Sequence, residues 1–228
     1  MLGLVFAARL SLWRKQRTRG ITIAIGLLAA ASVLRAPQVG DGILDQLVAP
    51  ANISEMISHA FALAASCALA TFALSVRQRE HLIPVALRGC ELWIAALMLC
   101  WSVSDASRIQ VPSIAMLDGP MVAAYWLVFI SGVGACMAGV GLVVLRLAPA
   151  TPRGPLRTTL FMLGVSVGLE IAHLTTRVLV QLPAIDYWSD LANVDAFPWF
   201  TLRAGAYMAL AAAGLIPLLK QRPSRRVN

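Results

Sequence analysis

Six long stretches of this chain, approximately residues 20–36, 55–76, 82–104, 120–146, 157–181 and 197–219, are almost wholly apolar. Each is close to the roughly 20 residues that cross the hydrocarbon core of a bilayer as a helix. A fold surrounded by water has no interior large enough for all of them. The remaining composition agrees: 59% of the 228 residues are hydrophobic and 13% charged, too little charge to clothe a soluble domain of this length. The expected class is therefore all-α: a single-domain polytopic helix bundle over residues 1–228, with six transmembrane helices and a short seventh at the N-terminus, 2–13, that contains Arg9. That first segment is too short to cross comfortably. It reads as an incomplete helix, an interfacial helix or the remnant of a longer one, and no cleavable signal peptide is expected.

Charge is sorted between the connections. Arg14, Lys15, Arg17 and Arg19, then Arg77 and Arg79, then Arg146, Arg153 and Arg157, and finally the basic tail 220–228 with Lys220, Arg222, Arg225 and Arg226, alternate with acidic loops. The acidic set is Asp41 and Asp45, then Asp105 and Asp118, then Asp186, Asp190 and Asp195. Basic loops stay in the cytoplasm. The expectation is a bacterial cytoplasmic-membrane protein with acidic loops outside and the C-terminus inside. The net charge of +8 then sets topology and does not indicate nucleic acid. Trp101, Tyr125, Trp126, Tyr187, Trp188, Trp199 and Phe200 cluster at the outer helix ends and Trp13 at an inner one, as an interfacial belt would. The loop 36–54 is rich in Gly and Pro, and Asn52-Ile53-Ser54 within it spells a glycosylation sequon.

The sixth stretch contains GLEIAHLTTRVLV, with Glu170, His173 and Arg177 three and then four residues apart. On a helix they fall within about 60° of one another. Ionisable groups inside a bilayer face the bundle interior and have partners. Two readings follow: an internal ion pair such as Glu170 with Arg177, or a proton relay or binding site for a polar substrate. His59 on the third helix is placed to join them in the outer half. Arg88 with Glu91 on the fourth and Arg203 with Tyr207 on the seventh are secondary polar candidates, the first two as a local pair. Two imidazoles and a carboxylate would suit zinc or iron, but di-iron bundles need ExxH twice and more glutamates, so neither a metal nor another cofactor is expected. Cys67, Cys90, Cys100 and Cys136 form no ligand-like motif and read as small buried hydrophobes. No phosphate loop and no HExxH is present, and the final span lacks the mid-membrane lysine of a retinal protein. Catalysis has no supporting motif, and a membrane enzyme is the third expectation after the two functional readings given below.

Packing signals are separate from these. Ser131, Ala135 and Gly139, with Gly134 and Ala138 beside them, and Gly164 and Gly168 on the next helix, put small residues at the spacing that lets backbones approach. A tight antiparallel pair of the fifth and sixth helices is expected, or a dimer interface.

Several segments together resemble a known family: Arg35-Ala36-Pro37 closing a Gly/Ala-rich span, SEMISHAFALAASCALA, YWLVFISGVG and PLRTTLFMLGVSVGLEIAHLTTRVLV. The layout over most of residues 14–182 is similar to that of actinobacterial seven-helix integral membrane proteins of unassigned function that are described as transporters. A histidine recurs in the third and sixth helices of that family, which implies roles for His59 and His173. The chain departs from the pattern in its short first helix and in lacking a cytoplasmic extension. The first functional expectation is transport or ligand handling at a polar site in the outer half. The alternative is a membrane module, such as an accessory subunit, sensor or exclusion protein, that acts through helix contacts with a protein partner or a second copy.

Overall fold

The computed structural model describes residues 1–12, 19–36, 39, 45, 50–111, 113–181 and 197–219, and for 179–181 and 197–200 the backbone alone. Among the described residues seven α-helices follow one another: α1 Leu2–Arg9, α2 Arg19–Leu34, α3 Ile53–Val76, α4 Ile83–Val103, α5 Pro120–Ala150, α6 Pro155–Gln181 and α7 Phe197–Leu219. There is no strand among the described residues. Five helices, α3 to α7, are long and apolar enough to cross a membrane. The second expected span is shorter: α2 has 16 residues, about 24 Å at the helical rise.

Proline and small polar residues set the boundaries. Pro84 lies in the first turn of α4 and Pro120 opens α5, positions where a missing N–H costs nothing. The Asp45 carboxylate accepts from Ser54 N at 2.9 Å and from Ser54 Oγ at 2.9 Å, capping the start of α3 from outside the helix. Asn52 adopts a left-handed conformation (φ 53°) just before α3 and is buried. Its side-chain amide donates to Ala106 O (2.8 Å) and Ile109 O (2.7 Å) and accepts from Val111 N (3.1 Å). The sequon asparagine is thus a buried clamp holding the 105–111 segment, which leaves no room for a glycan.

Helix α3 is the central post, packed against α2, α4 and α5. Side-chain neighbours fix the directions. Gly20 of α2 lies against Ala68 and Phe72 of α3, while Arg35 at the other end meets Glu55 and His59, so the two helices are antiparallel. Cys67 Sγ lies 3.6 Å from Cys136 Sγ between α3 and α5. All four cysteines are free thiols. Helix α7 packs on α6, and α1 closes the bundle by packing on α2 and α7.

Arg9 ends that short helix and is 0% exposed. Its Nε donates to Thr22 Oγ1 at 3.1 Å and its Nη1 to the Gly214 carbonyl. The charge that made 2–13 look unfit to be buried is what ties α1 into the bundle.

Helices α5 and α6 do pack together, but not through the expected stripe. Ser131, Ala135, Ala138 and Gly139 are exposed and Gly134 half-buried. A Cβ added at Gly134, Gly139 or Gly168 would meet nothing within 4 Å. The contact runs through Gly141 against Val167 and through Gly164, one of the expected small residues, against Val144, where an added Cβ would come to 3.3 and 3.0 Å. Bulky residues such as Val133, Val140 and Val143 on the inner face of α5 are buried in the core. They turn the small-residue face outward.

Candidate functional site

One cavity of about 50 Å³ opens between α2, α3, α5, α6 and α7, at the end of the bundle where α3 begins and α6 finishes. A water needs roughly 10–15 Å³ of such space, so it holds a few waters or a small ligand. His59, Glu170, His173 and Arg177 all line it, as do Arg203 and Tyr207. The structure therefore brings six of the eight polar candidates to one place. Arg88 and Glu91 are not among its walls. Both are exposed on α4, and no ion pair within 4 Å joins them.

The walls are polar toward the loops and apolar below. Leu28, Leu69, Val133, Met137 and Leu210 form the lower lining. Beneath them the core is continuous through Val140, Leu160 and Leu163. Helix α6 supplies the stripe read from the sequence, and Ser166 on the same helix donates to Ala206 O at 2.9 Å, tying α6 to α7. Ser166 sits at the centre of Gly164-Val165-Ser166-Val167-Gly168, which spells GxSxG. Its setting is the middle of a continuous helix, not the strand-to-helix turn that activates a nucleophilic serine.

The expected Glu170–Arg177 bridge is not made. Among the described residues the ion pair within 4 Å is Arg35–Glu55, and the His59 ring lies 4.0 Å from the same carboxylate. The two positions, Glu170 and Arg177, are about 10.5 Å apart along the helix. The Arg177 guanidinium instead lies over the Trp126 ring, 5.9 Å from its centroid. On α7, Arg203 Nε donates to Tyr207 Oη at 2.9 Å.

The most fully hydrogen-bonded part of the site was missed in the sequence. Glu55 is buried in the first turn of α3. Its carboxylate accepts from Ser113 Oγ (3.0 Å) and Ile114 N (2.7 Å), and lies 3.3 Å from Arg35 Nη2. Arg35 Nη1 is also 3.1 Å from His59 Nε2, and His59 Nδ1 is 2.7 Å from Tyr125 Oη. A guanidinium can only donate, so Nε2 accepts and the Nδ1–H donates to Tyr125. His59 is walled by Trp126 and Phe129, with ring centroids at 5.1 and 4.6 Å. The chain Ser113–Glu55–Arg35–His59–Tyr125 thus spans α2, α3, α5 and the 113–114 turn.

Two corrections concern aromatic residues. Trp101, Tyr125 and Trp126, expected at the membrane interface, are buried. Tyr125 and Trp126 belong to the site, and Trp126 Nε1 has no hydrogen-bond partner among the described residues. Trp13, Tyr187 and Trp188 lie outside the described residues, as do the side chains of Trp199 and Phe200. Asp41, Asp186, Asp190, Asp195, Arg14, Lys15, Arg17 and the basic tail also fall outside. The glutamate could have been found: Glu55 and His59 stand at i,i+4, the same spacing logic as the α6 stripe.

Among the described residues no three His, Cys, Asp or Glu side chains are grouped to hold a metal ion. No family model, curated protein or solved structure matches this chain.

Proposed function

We propose that this chain is an integral membrane protein that binds a small anionic ligand in its cavity and handles it in the manner of a transporter. The observation that supports this reading most is the convergence of ionisable side chains from α3, α6 and α7 and the end of α2 on one cavity. Such groups are costly inside a bilayer and are kept where they do something. The ligand class follows from the balance of charge. Among the described residues Arg35, Arg177 and Arg203 line the cavity with one carboxylate, Glu170, while Glu55 stands behind Arg35. In a low-dielectric chamber such an excess of guanidinium attracts anions, and arginine forks match carboxylate or phosphate. Glu170 adds an acceptor for a donor group on the same ligand. The segregation of basic and acidic connections supports a cytoplasmic-membrane location with the cavity end outside and the C-terminus inside.

Binding is tested with the detergent-purified protein and a panel of acetate, lactate, glutamate and inorganic phosphate, read by thermal protection and calorimetry. At least one should bind, and Arg203→Gln and Glu170→Ala should each weaken it about tenfold or more, given the roughly 2 kcal/mol of a charged hydrogen bond. Uptake of that anion into proteoliposomes then tests transport. If His173→Ala and Glu170→Ala insert normally and leave binding and uptake unchanged, the polar stripe is structural.

The alternative is a module acting through helix contacts. The outward-facing small residues Ser131, Ala135 and Gly139 favour it. Under that reading Gly139→Leu abolishes activity in cells while anion binding is absent from the start.

A further inference from the structure

The face of α4 turned away from the bundle carries a regular seam. Val85, Arg88, Leu92, Ala95, Leu99 and Ser102 are all exposed and recur at alternating spacings of three and four. That is the a/d rhythm of two helices packed side by side. Glu91 flanks the seam and is exposed as well. The buried residues of α4, Cys90, Leu97 and Trp101, lie on its other side. The contrast with the central post is large: 11% of the apolar window of α4 is buried, against 61% for α3.

Depth makes this face demanding. Glu91 stands about 12 Å along the axis from Ile83 and about 18 Å from Val103. In a bilayer of ordinary thickness it lies near the middle, too deep for a short carboxylate to reach water. Arg88, one turn nearer the end, can stretch toward the headgroups, but Glu91 cannot. No ion pair within 4 Å joins the two residues among the described ones. One helix face therefore presents an acid and a base of opposite sign one turn apart, neither compensated by the other.

We infer that this face is the contact surface of a homodimer, in which two copies meet along α4 about a two-fold axis parallel to the membrane normal. In that arrangement the helices run parallel, and Arg88 of each copy faces Glu91 of the partner subunit. The two positions differ by about 4.5 Å in depth, within the reach of an arginine side chain. The pairing is reciprocal, as two-fold symmetry requires, and a surface complementary to itself needs no other protein. Ala95 and Ser102 alternate with Leu92 and Leu99 along the seam, and small residues there let the two backbones approach. The inference rests on the bilayer reading and makes no use of the cavity.

Charge exchange tests it. The full-length protein is labelled with donor and acceptor dyes and reconstituted into liposomes at low protein-to-lipid ratio, with energy transfer reporting association. The wild-type chain should associate. R88E and E91R should each lower the association constant about tenfold or more, as should the uncharged seam variant Ala95→Trp. The double variant R88E/E91R should associate with itself as the wild type does, yet fail to associate with the wild type. Retained thermal unfolding midpoints show that the variants fold. A monomeric wild type overturns the inference, as do single variants that still associate. A double exchange that fails to restore self-association also overturns it, and assigns the face to a different membrane helix.

Discussion

Arg35 Nη1 stands 3.1 Å from His59 Nε2, although the two residues belong to different helices. The same guanidinium reaches Glu55 through its other terminal nitrogen at 3.3 Å. One cation at the end of α2 thereby sets both the carboxylate and the imidazole of α3. Because arginine has no acceptor, it also fixes which nitrogen of His59 carries the hydrogen.

Replacing Arg35 should therefore do more than remove a charge. Arg35→Leu leaves Glu55 buried without its cation, and breaking a partly buried pair costs about 1–3 kcal/mol once its partial exposure is allowed for. Thermal unfolding in detergent should show the loss. Glu55→Gln in the Arg35→Leu background should recover part of it, since the orphaned charge is then gone.

Tyr125→Phe removes only the acceptor for the His59 Nδ1–H. The expected cost is about 1 kcal/mol, with the fold intact. If anion binding is measured beside stability, this variant should alter binding less than Arg203→Gln, because Tyr125 is not among the residues lining the cavity. An equal loss of binding from the two substitutions would count against the site as drawn.

Helix contacts can be ranked by glycine replacement. A Cβ at Gly20 would come to 2.6 Å from the Ala68 carbonyl oxygen and 2.9 Å from Phe72 Cβ. Backbone cannot yield as a side chain can, so Gly20→Ala should separate α2 from α3 and cost about 1–3 kcal/mol. Gly134→Ala and Gly139→Ala, with open space around them, should change stability by no more than about 0.5 kcal/mol. Unfolding midpoints of the three variants in one detergent decide the order.

Arg9→Ala should release α1. The substitution removes bonds to Thr22 and to the Gly214 carbonyl and empties the space of a fully buried side chain. A loss of about 2–4 kcal/mol is expected. Proteolytic cleavage within the first 12 residues should become faster than in the wild type, and unchanged protection would show that α1 is held by its apolar contacts alone.

The course of the helices was legible because apolar run length is a strong signal, and α3, α4 and α7 begin and end within a few residues of the expected limits. The α6 stripe was legible for the same reason: three polar groups at helical spacing stand out in an apolar run. Glu55 was not, because it sits at a helix start, where a carboxylate has an ordinary explanation near the positive end of the dipole. Tyr125 and Trp126 were misread because composition places aromatics at a helix end without saying which way they turn. The face of α5 used for packing depended on the bulk of Val133, Val140 and Val143. Periodicity alone marks two faces and does not choose between them. Arg9 illustrates the same limit, since its acceptors lie 13 and 205 residues away.

The position of Arg35 in the chain bears on biogenesis. Helices leave the ribosome from the N-terminus onward, so α3 emerges after Arg35 and before Ser113 and Tyr125. Glu55 and His59 would then lack a partner, were it not that Arg35 has already emerged at the end of the preceding helix. The α2–α3 hairpin carries its own counter-ion and can wait, electrically settled, until the later helices arrive to complete the network.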